Sequence, residues 1–360
     1  MDAADFVSSD ISWLLGIRSE QDMCTIDLGT SSRIQERVRD AVLDVSQSLL
    51  RNANASINCA TKHPLSRTER ESIPPPTTGN AKKKQNSEAN KLLWHMTKGT
   101  QSLEMFDKLS VWGYTRQKFV KRALLLSASF LKLHPGSVSS IDGDCGLTPA
   151  HRQIQRMAWA SLKVVNRVCS IGCGPGNDVL GFLVMQKCLN DGARGALSNL
   201  KLNLFDYAMD IWQDAVLDEL LPILVDRGLI VTLDGIYCGK CDVTMPLEHG
   251  GSSVGEQGKI NSVLSAITRT SCGASTLYIT SYLLTETRGR WESFYDQLIS
   301  GSKPRDLFYF CEPTPWQLFH LIQVAGSRCY YLWLDSSMYH PELQDLHGRS
   351  GPAVLLAIRK

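Results

Sequence analysis

Residues 168–178 read Val-Cys-Ser-Ile-Gly-Cys-Gly-Pro-Gly-Asn-Asp and run straight on into Val-Leu-Gly-Phe-Leu-Val-Met at 179–185. An apolar run ends at Ile171, glycines fall at 172, 174 and 176, and an apolar helical pattern starts at once. That order predicts a strand, a tight turn and a helix N-terminus. Gly172 suits the sharp turn, Gly174 lets backbone approach a ligand, and Gly176 lets helix and strand pack closely. Pro175 sets φ ahead of the helix, Asn177 or Asp178 can cap it, and its first N–H groups would face a ligand. A Gly-x-Gly-x-Gly turn behind a strand is a nucleotide-type fingerprint. Taken alone it is equally the glycine turn of an ordinary core, so the flanking sequence has to decide.

Downstream, the chain alternates strand and helix. Lys201–Tyr207 is an apolar strand ending on the acid Asp206, followed by a helix from Ile211 to Leu224 with Trp212, Val216 and Leu220 on one face. Leu229–Leu233 and Ile236–Asp242 are further apolar stretches, the second closing on Asp242. A Gly/Ser insertion at 250–255 precedes a helix over about 260–267. Ser275–Leu284 is a buried strand, Trp291–Ile299 a helix, Asp306–Glu312 a strand, and Pro313 and Pro315 bound a helix through Val324. Cys329–Leu334 and Ala353–Ile358 are two last strands with no full helix between them. Alternation implies a seven-stranded, mostly parallel, doubly wound α/β sheet covered on both faces. The final pair implies a C-terminal antiparallel hairpin at one edge.

Upstream the text changes character. Ser32-Arg-Ile-Gln35 has capping-box form and opens a helix with Ile34, Val38, Val42, Val45 and Leu49 on one face, ending near Asn52. Residues 1–53 are therefore an N-terminal extension with one amphipathic helix. Residues 54–90, with Pro74–Pro76 and Lys82–Lys84, read as a flexible linker. Residues 91–163 form a basic helical region, and 164–360 the α/β domain.

Net charge is +2 over 360 residues, but it is unevenly placed: 91–167 carry 12 Lys/Arg against 4 Asp/Glu, and 168–360 carry 15 against 20. Such asymmetry points to an anionic partner. Trp112 and Tyr114 interleaved with Arg116, Lys118, Lys121 and Arg122, followed by Arg152 and Arg156, are what a nucleic-acid surface offers, rings for bases and charge for phosphates. The same residues equally describe a helix with a buried aromatic face and a solvated basic one.

With 43% hydrophobic and 21% charged residues the composition is that of a soluble globular chain. No apolar run is long enough to span a bilayer, and the acidic start lacks a signal-peptide pattern. Eleven cysteines, an odd number without small-domain spacing, read as reduced thiols. The expectation is an intracellular protein, cytoplasmic or nuclear. Cys238-Gly-Lys-Cys241 lacks a second pair and a nearby His, so no metal site is expected.

The glycine loop after the first strand, the acids closing the second and third, and the terminal hairpin together resemble class I (Rossmann-like) S-adenosylmethionine-dependent methyltransferases over about residues 164–360. The resemblance implies S-adenosyl-L-methionine as cofactor, with Ile171, Gly172, Gly174 and Gly176 in the loop beneath it. It implies Asp206, with Tyr207 beside it, on the ribose hydroxyls, Asp242 near the adenine amino group, Val243 along the ring, and Ser281 at the fourth strand's end where cofactor and substrate meet. Many members have an acid two residues before the first glycine. Here that position is Ser170, and Asp178 can compensate. The Asn-Pro-Pro-Tyr/Phe signature of exocyclic amino methylation and the Pro-Cys pair of cytosine-C5 chemistry are both absent.

Glu286, Glu312 and Tyr282, at the carboxyl ends of the fourth and fifth strands, are the candidate catalytic residues, the acids as bases for an acceptor N–H. The Ser-Ile-Gly-Cys-Gly-Pro-Gly-Asn-Asp loop, the Cys-Asp-Val-Thr strand end and the basic helical region also resemble fungal large-subunit rRNA uridine-N3 methyltransferases. That resemblance implies methylation of an RNA base, with RNA held by residues 91–167. Two alternatives stand beside it. One is a small-molecule methyltransferase in which 91–163 forms a lid with Trp112 and Tyr114 facing the substrate. The other is a non-catalytic scaffold of the same fold.

Overall fold

Seven short runs rich in β-branched and aromatic residues pair into one sheet. They are β1 (Val165–Ile171), β2 (Lys201–Asp206), β3 (Ile236–Lys240), β4 (Ser275–Ser281), β5 (Leu307–Glu312), β6 (Cys329–Leu334) and β7 (Ala353–Arg359). The structure is a computed structural model, and it describes residues 33–62, 108–131, 133–134, 149–189, 200–247, 261–270, 275–334 and 352–360. Strand order is β3-β2-β1-β4-β5-β7-β6. The first five strands pair parallel, with Ser170 opposite both Leu204 and Ile279. β7 runs antiparallel between β5 and β6, with Phe310 opposite Leu355 and Leu332 opposite Leu356. The expected hairpin is therefore present, with its second strand inside the sheet and its first at the edge. Leu229–Leu233 forms turns and bends instead of a strand, and its Val231 and Leu233 side chains are exposed.

Side-chain alternation divides the core in two, since successive residues of a strand face opposite ways. Val168, Leu277, Ile279, Tyr309 and Leu356 join one apolar cluster, and Cys169, Ile171, Tyr278, Phe308, Phe310 and Leu355 the other. Helices α1 (Arg33–Lys62), α2 (Lys108–Leu131), α3 (Pro149–Lys163), α4 (Asn177–Leu189), α5 (Met209–Trp212) and α6 (Asp218–Asp226) bury residues in the first cluster. A single π turn, Gln213–Leu217, joins α5 to α6. The second cluster is closed by α7 (Ser262–Thr270), α9 (Glu292–Gly301) and α10 (Trp316–Ala325). Between β4 and α9 lies the one-turn helix α8 (Leu283–Glu286).

The apolar stripe of α1 is buried as its spacing predicts, with Val38, Val42, Val45 and Leu49 at most 2% exposed. The helix runs to Lys62, past the expected end near Asn52. The rest of the expected linker, with Lys82–Lys84, lies outside the described residues, as do the 250–255 insertion and residues 1–32.

In α2, Val111, Phe119, Ala123, Leu126 and Phe130 recur at helical spacing and are all 0% exposed. Where this helix crosses α4, Gly181 meets the backbone of Ala123. A Cβ built on Gly181 would stand 2.3 Å from the Ala123 carbonyl oxygen. The Ser127 hydroxyl donates to the Gly181 carbonyl at 2.8 Å, and Phe130 packs edge-on to Phe182. Among the described residues, then, α1, α2 and α3 share one core with the sheet. This contact fixes which face of α2 looks toward the carboxyl ends of the strands.

Candidate functional site

In open α/β sheets chemistry gathers at the carboxyl ends of the parallel strands, where the order reverses. Here that is the β1–β4 junction. The glycine loop behind β1 takes positive φ at all three glycines, 69° at Gly172, 48° at Gly174 and 80° at Gly176. Three N–H groups of this loop turn inward. Gly172 and Cys173 both donate to the Phe205 carbonyl, at 2.8 and 3.0 Å, and Gly174 donates to Asp206 Oδ2 at 3.0 Å.

On its Cβ side Gly174 faces Trp212 at an ordinary 3.7 Å, so its left-handed φ is what calls for glycine there. A Cβ on Gly176 would lie 2.8 Å from Leu220 and 3.2 Å from Leu217, so its close approach is to the helical segment after β2, not to the strand.

Asp206 ends β2 and is fixed from three sides. Gly174 N–H donates to Oδ2, Ala208 N–H to Oδ1 at 2.9 Å, and the Trp212 indole also donates. Burial raises its pKa, opposed by these bonds. Tyr207, the next residue, is 52% exposed. Asp242 follows β3 and turns on itself, its Oδ1 accepting from Thr244 N–H at 2.9 Å and from the Thr244 hydroxyl at 2.7 Å. Asn261 staples this turn, accepting from Asp242 N–H and donating to the carbonyls of Asp242, Met245 and Pro246. Val243 is buried in the second apolar cluster.

Past β4, Ser281 is buried and Tyr282 sits at φ 65°, ψ 7°. A bulky side chain in the left-handed region is a strained conformation that the surroundings must enforce, and such strain gathers at functional sites. The enforcing contacts are Tyr282 N–H on the Cys311 carbonyl at 2.7 Å and the Arg122 guanidinium 3.8 Å above the Tyr282 ring. Arg122 also lies 5.2 Å from the Tyr114 ring, which meets Trp212 edge-on at 5.7 Å. Tyr114 and Arg122 are eight residues apart on α2, two turns along one face. This corrects the surface reading of Arg122. It lines the site, while Lys118 between them is half-buried, its pKa lowered by burial and then by Arg122 and Lys121. Arg152 and Arg156 on α3 are exposed, and the side chains of Trp112 and Arg116 lie outside the described residues.

Three acids face this cluster. Asp178, 3% exposed in the first turn of α4, accepts from Asn177 Nδ2 at 2.7 Å and from the Ser281 hydroxyl. Burial pushes its pKa up to about 6, against the pull of Arg122 and those two bonds. Glu286 at the end of α8 reaches solvent, yet crowding by the surrounding protein raises its pKa to about 7, with Arg122 opposing. Glu312 differs. It is 0% exposed, and its Oε1 and Oε2 accept from Leu284 N–H at 2.8 Å and Thr285 N–H at 3.1 Å. Burial raises it to about 7 as well. The expectation of Glu312 as a base open to substrate is therefore corrected. Both oxygens are taken by backbone, and its work is to hold α8, and with it Glu286, in place. Ser170 is 1% exposed with an unpartnered hydroxyl, buried in the sheet.

Sequence reasoning brought the loop, Asp206, Asp242, Ser281, Tyr282 and Glu286 to this edge, and the structure places them there together. It named Tyr114 only as a lid residue facing a small molecule and Arg122 only as a phosphate contact, and it missed Trp212 and Asn261 as site residues. The Tyr114–Arg122 spacing was available as a signal for one shared face, but nothing local says which way that face turns. Among the described residues no group of three His, Cys, Asp or Glu is arranged to hold a metal ion, and no helix is long and apolar enough to cross a membrane.

No family model matches the chain, and no curated protein matches it. Solved structures do. An O-methyltransferase family protein from Burkholderia thailandensis is 9% identical, with 76% of this chain and 70% of that one covered and a TM-score of 0.37. The N-methyltransferase NodS from Bradyrhizobium japonicum WM9, solved with S-adenosyl-L-homocysteine, is 11% identical over 65% and 98%, with a TM-score of 0.30. The [4+2]-cyclase SpnF is 14% identical over 68% and 94%, also at 0.30. The α/β architecture rests on the strand order and register of this chain itself.

Proposed function

We propose that this protein is an S-adenosylmethionine-dependent methyltransferase in which Glu286 takes the proton from the acceptor. The observation that carries the reading is the row of groups along the carboxyl edge of β3, β2, β1 and β4: Asp242, Asp206, the three-glycine loop, and Tyr282 with Glu286 behind it. The donor set fits an adenosyl group. Asp242 Oδ2 has no partner among the described residues and can accept from an adenine amine. Asp206 accepts two backbone N–H groups and the Trp212 indole, which leaves one of its four lone-pair sites for a ribose hydroxyl. The exposed Tyr207 ring stands next to Asp206.

When bound, S-adenosylmethionine supplies a methyl group already activated on a sulfonium, which leaves the protein to align the acceptor and remove its proton. Glu286 suits that second task. A carboxylate with pKa near 7 is half ionised at neutral pH and basic enough to accept a proton from N–H or O–H as the new bond forms. Glu312 and the strained Tyr282 turn hold it at the cleft.

Two acceptor classes are favoured by different observations. Tyr114 and Arg122 in the cleft wall favour a small molecule enclosed by α2. The exposed Arg152 and Arg156 on α3 favour RNA, including a base nitrogen such as uridine N3, with phosphates met outside the cleft. Incubation with labelled cofactor and total RNA, against a small-metabolite extract, separates them by which fraction takes up label. Cofactor binding without label transfer to either fraction would identify a scaffold instead. Calorimetry should show Asp206→Ala weakening cofactor binding by about 10- to 100-fold, the loss of one or two hydrogen bonds to a charged acceptor. Undiminished binding removes Asp206 from the site.

A further inference from the structure

Arg122 is the unexplained charge of the molecule. It comes from a helix outside the α/β unit, its guanidinium lies against the Tyr282 ring, and its Nε is buried without a hydrogen-bond partner. None of the hydrogen bonds or ion pairs among the described residues uses its other N–H groups, although Asp178 and Glu286 stand near enough to feel its charge. An arginine held by stacking presents a planar fork of donors, and that fork matches a carboxylate two bonds at a time.

The sheet says what a carboxylate there would belong to. Asp242 stands past β3, Asp206 ends β2, the glycine loop follows β1, and Ser281 and Tyr282 end β4. A ligand with adenine at Asp242 and ribose at Asp206 lies across the strand ends, so whatever the ribose carries at its 5′ position continues past the loop toward β4. Three strand spacings of about 4.8 Å make roughly 14 Å, the reach of an adenosyl group with a short side chain. The far end of such a ligand arrives beside Asp178, Tyr282 and Arg122. In the proposed cofactor that end is an α-amino acid.

We infer that Arg122 is a cofactor-binding residue that clamps the carboxylate of the methionyl tail between the glycine-loop helix and the Tyr282 ring. The inference rests on the cofactor reading above. It also makes α2 part of the cofactor site, whichever acceptor the cleft encloses.

The test compares two ligands that differ only in that carboxylate, S-adenosylhomocysteine and 5′-deoxy-5′-(3-aminopropylthio)adenosine, titrated calorimetrically into wild type, Arg122→Met and Arg122→Lys. Wild type should prefer S-adenosylhomocysteine by about 10- to 100-fold, the worth of a charge-assisted bidentate pair. Arg122→Met should bind the two within about threefold of each other, while holding the aminopropyl ligand as wild type does, which also shows that the variant is folded. Arg122→Lys, which keeps the charge and loses the fork, should fall between. Should the Met variant fail to fold, the Lys variant carries the test, and a wild-type preference in it overturns the inference. A Met variant that retains the preference, or wild type that shows none, overturns it while leaving the cofactor reading intact. Wild type that binds neither ligand removes the cofactor reading itself.

Discussion

Replacing Gly181 by Ala is the sharpest probe of how the site is assembled, because it pushes α2 and α4 apart at their closest point without touching the cleft. The added Cβ would lie 2.3 Å from the Ala123 carbonyl oxygen, 3.0 Å from its carbonyl carbon and 3.1 Å from its Cα. Ordinary contact begins at 3.4 Å, so one helix must retreat by 3.4 − 2.3 = 1.1 Å. The obstacle is backbone, so no rotamer change relieves it, and Ala123→Gly as a second substitution gives no rescue. Overpacking of this kind costs about 1–3 kcal/mol, and a gap near 1 Å forfeits up to about half of each neighbouring dispersion contact along Phe119, Ala123 and Phe130. Against it stands the better helix propensity of Ala over Gly, about 1 kcal/mol. The net expectation is a loss of about 1 kcal/mol. Thermal melting should register a fall of about 2–4 °C, on a scale of roughly 2–4 °C per kcal/mol for domains somewhat smaller than this. Because the shift carries Arg122 and Tyr114 away from the cleft, affinity for S-adenosylhomocysteine should fall as well. A variant that melts above wild type would show helix propensity acting alone, and the docking of α2 on α4 would have to be abandoned.

Glu312→Ala should destabilise by about 2–3 kcal/mol, since a buried and a part-buried N–H lose their acceptor, and should lower turnover by releasing α8; a fully stable variant refutes its role as the anchor of that helix. The pH dependence of stability follows from the same residue. Its folded pKa is raised from 4.5 to about 7, so its stabilising contribution is complete below pH 4.5 and is lost as pH rises through 7. Its share is on the order of 3 kcal/mol between those limits, and Glu312→Gln, which does not titrate, should flatten the fall in melting temperature from pH 5 to 8. Turnover should move the opposite way, because Glu286 acts when ionised. The rate should rise about tenfold per pH unit below 7 and level off above it, and Glu286→Gln should be slow at every pH. A Glu286→Gln variant with an unchanged pH profile assigns the proton to another group.

Much of the α/β unit was legible because its signals are local. Short continuous runs of β-branched and aromatic residues such as Ser275–Ser281 and Leu307–Glu312 mark strands buried on both faces, and glycines ahead of a helical pattern mark the loop, whatever lies around them. The acids at strand ends could be placed by counting along β2 and β3. What could not be read was everything decided by the crossing of two helices. The Tyr114–Lys118–Arg122 stripe looks the same in sequence whether it faces solvent or a cleft. Its orientation is set by Ala123 meeting Gly181, 58 residues away by 181 − 123. Glu286 and Glu312 likewise look alike as acids behind strands. Their difference arises because the chain at Leu284 and Thr285 doubles back onto one of them and leaves the other at the water's edge.

The position of β7 sets a timetable for synthesis. The seventh strand in the chain is not the outermost in the sheet. It slots between β5 and β6, and until it arrives β5 shows one bare flank. From Leu334 to Arg359 is 25 residues, which a ribosome adds in about 1–5 s. For that interval Leu307–Glu312, every residue of which ends up buried, carries an open edge of the kind that recruits stray strands. A nascent chain paused between these two points should be the form of this protein most readily bound by a chaperone, and the one least able to do without it.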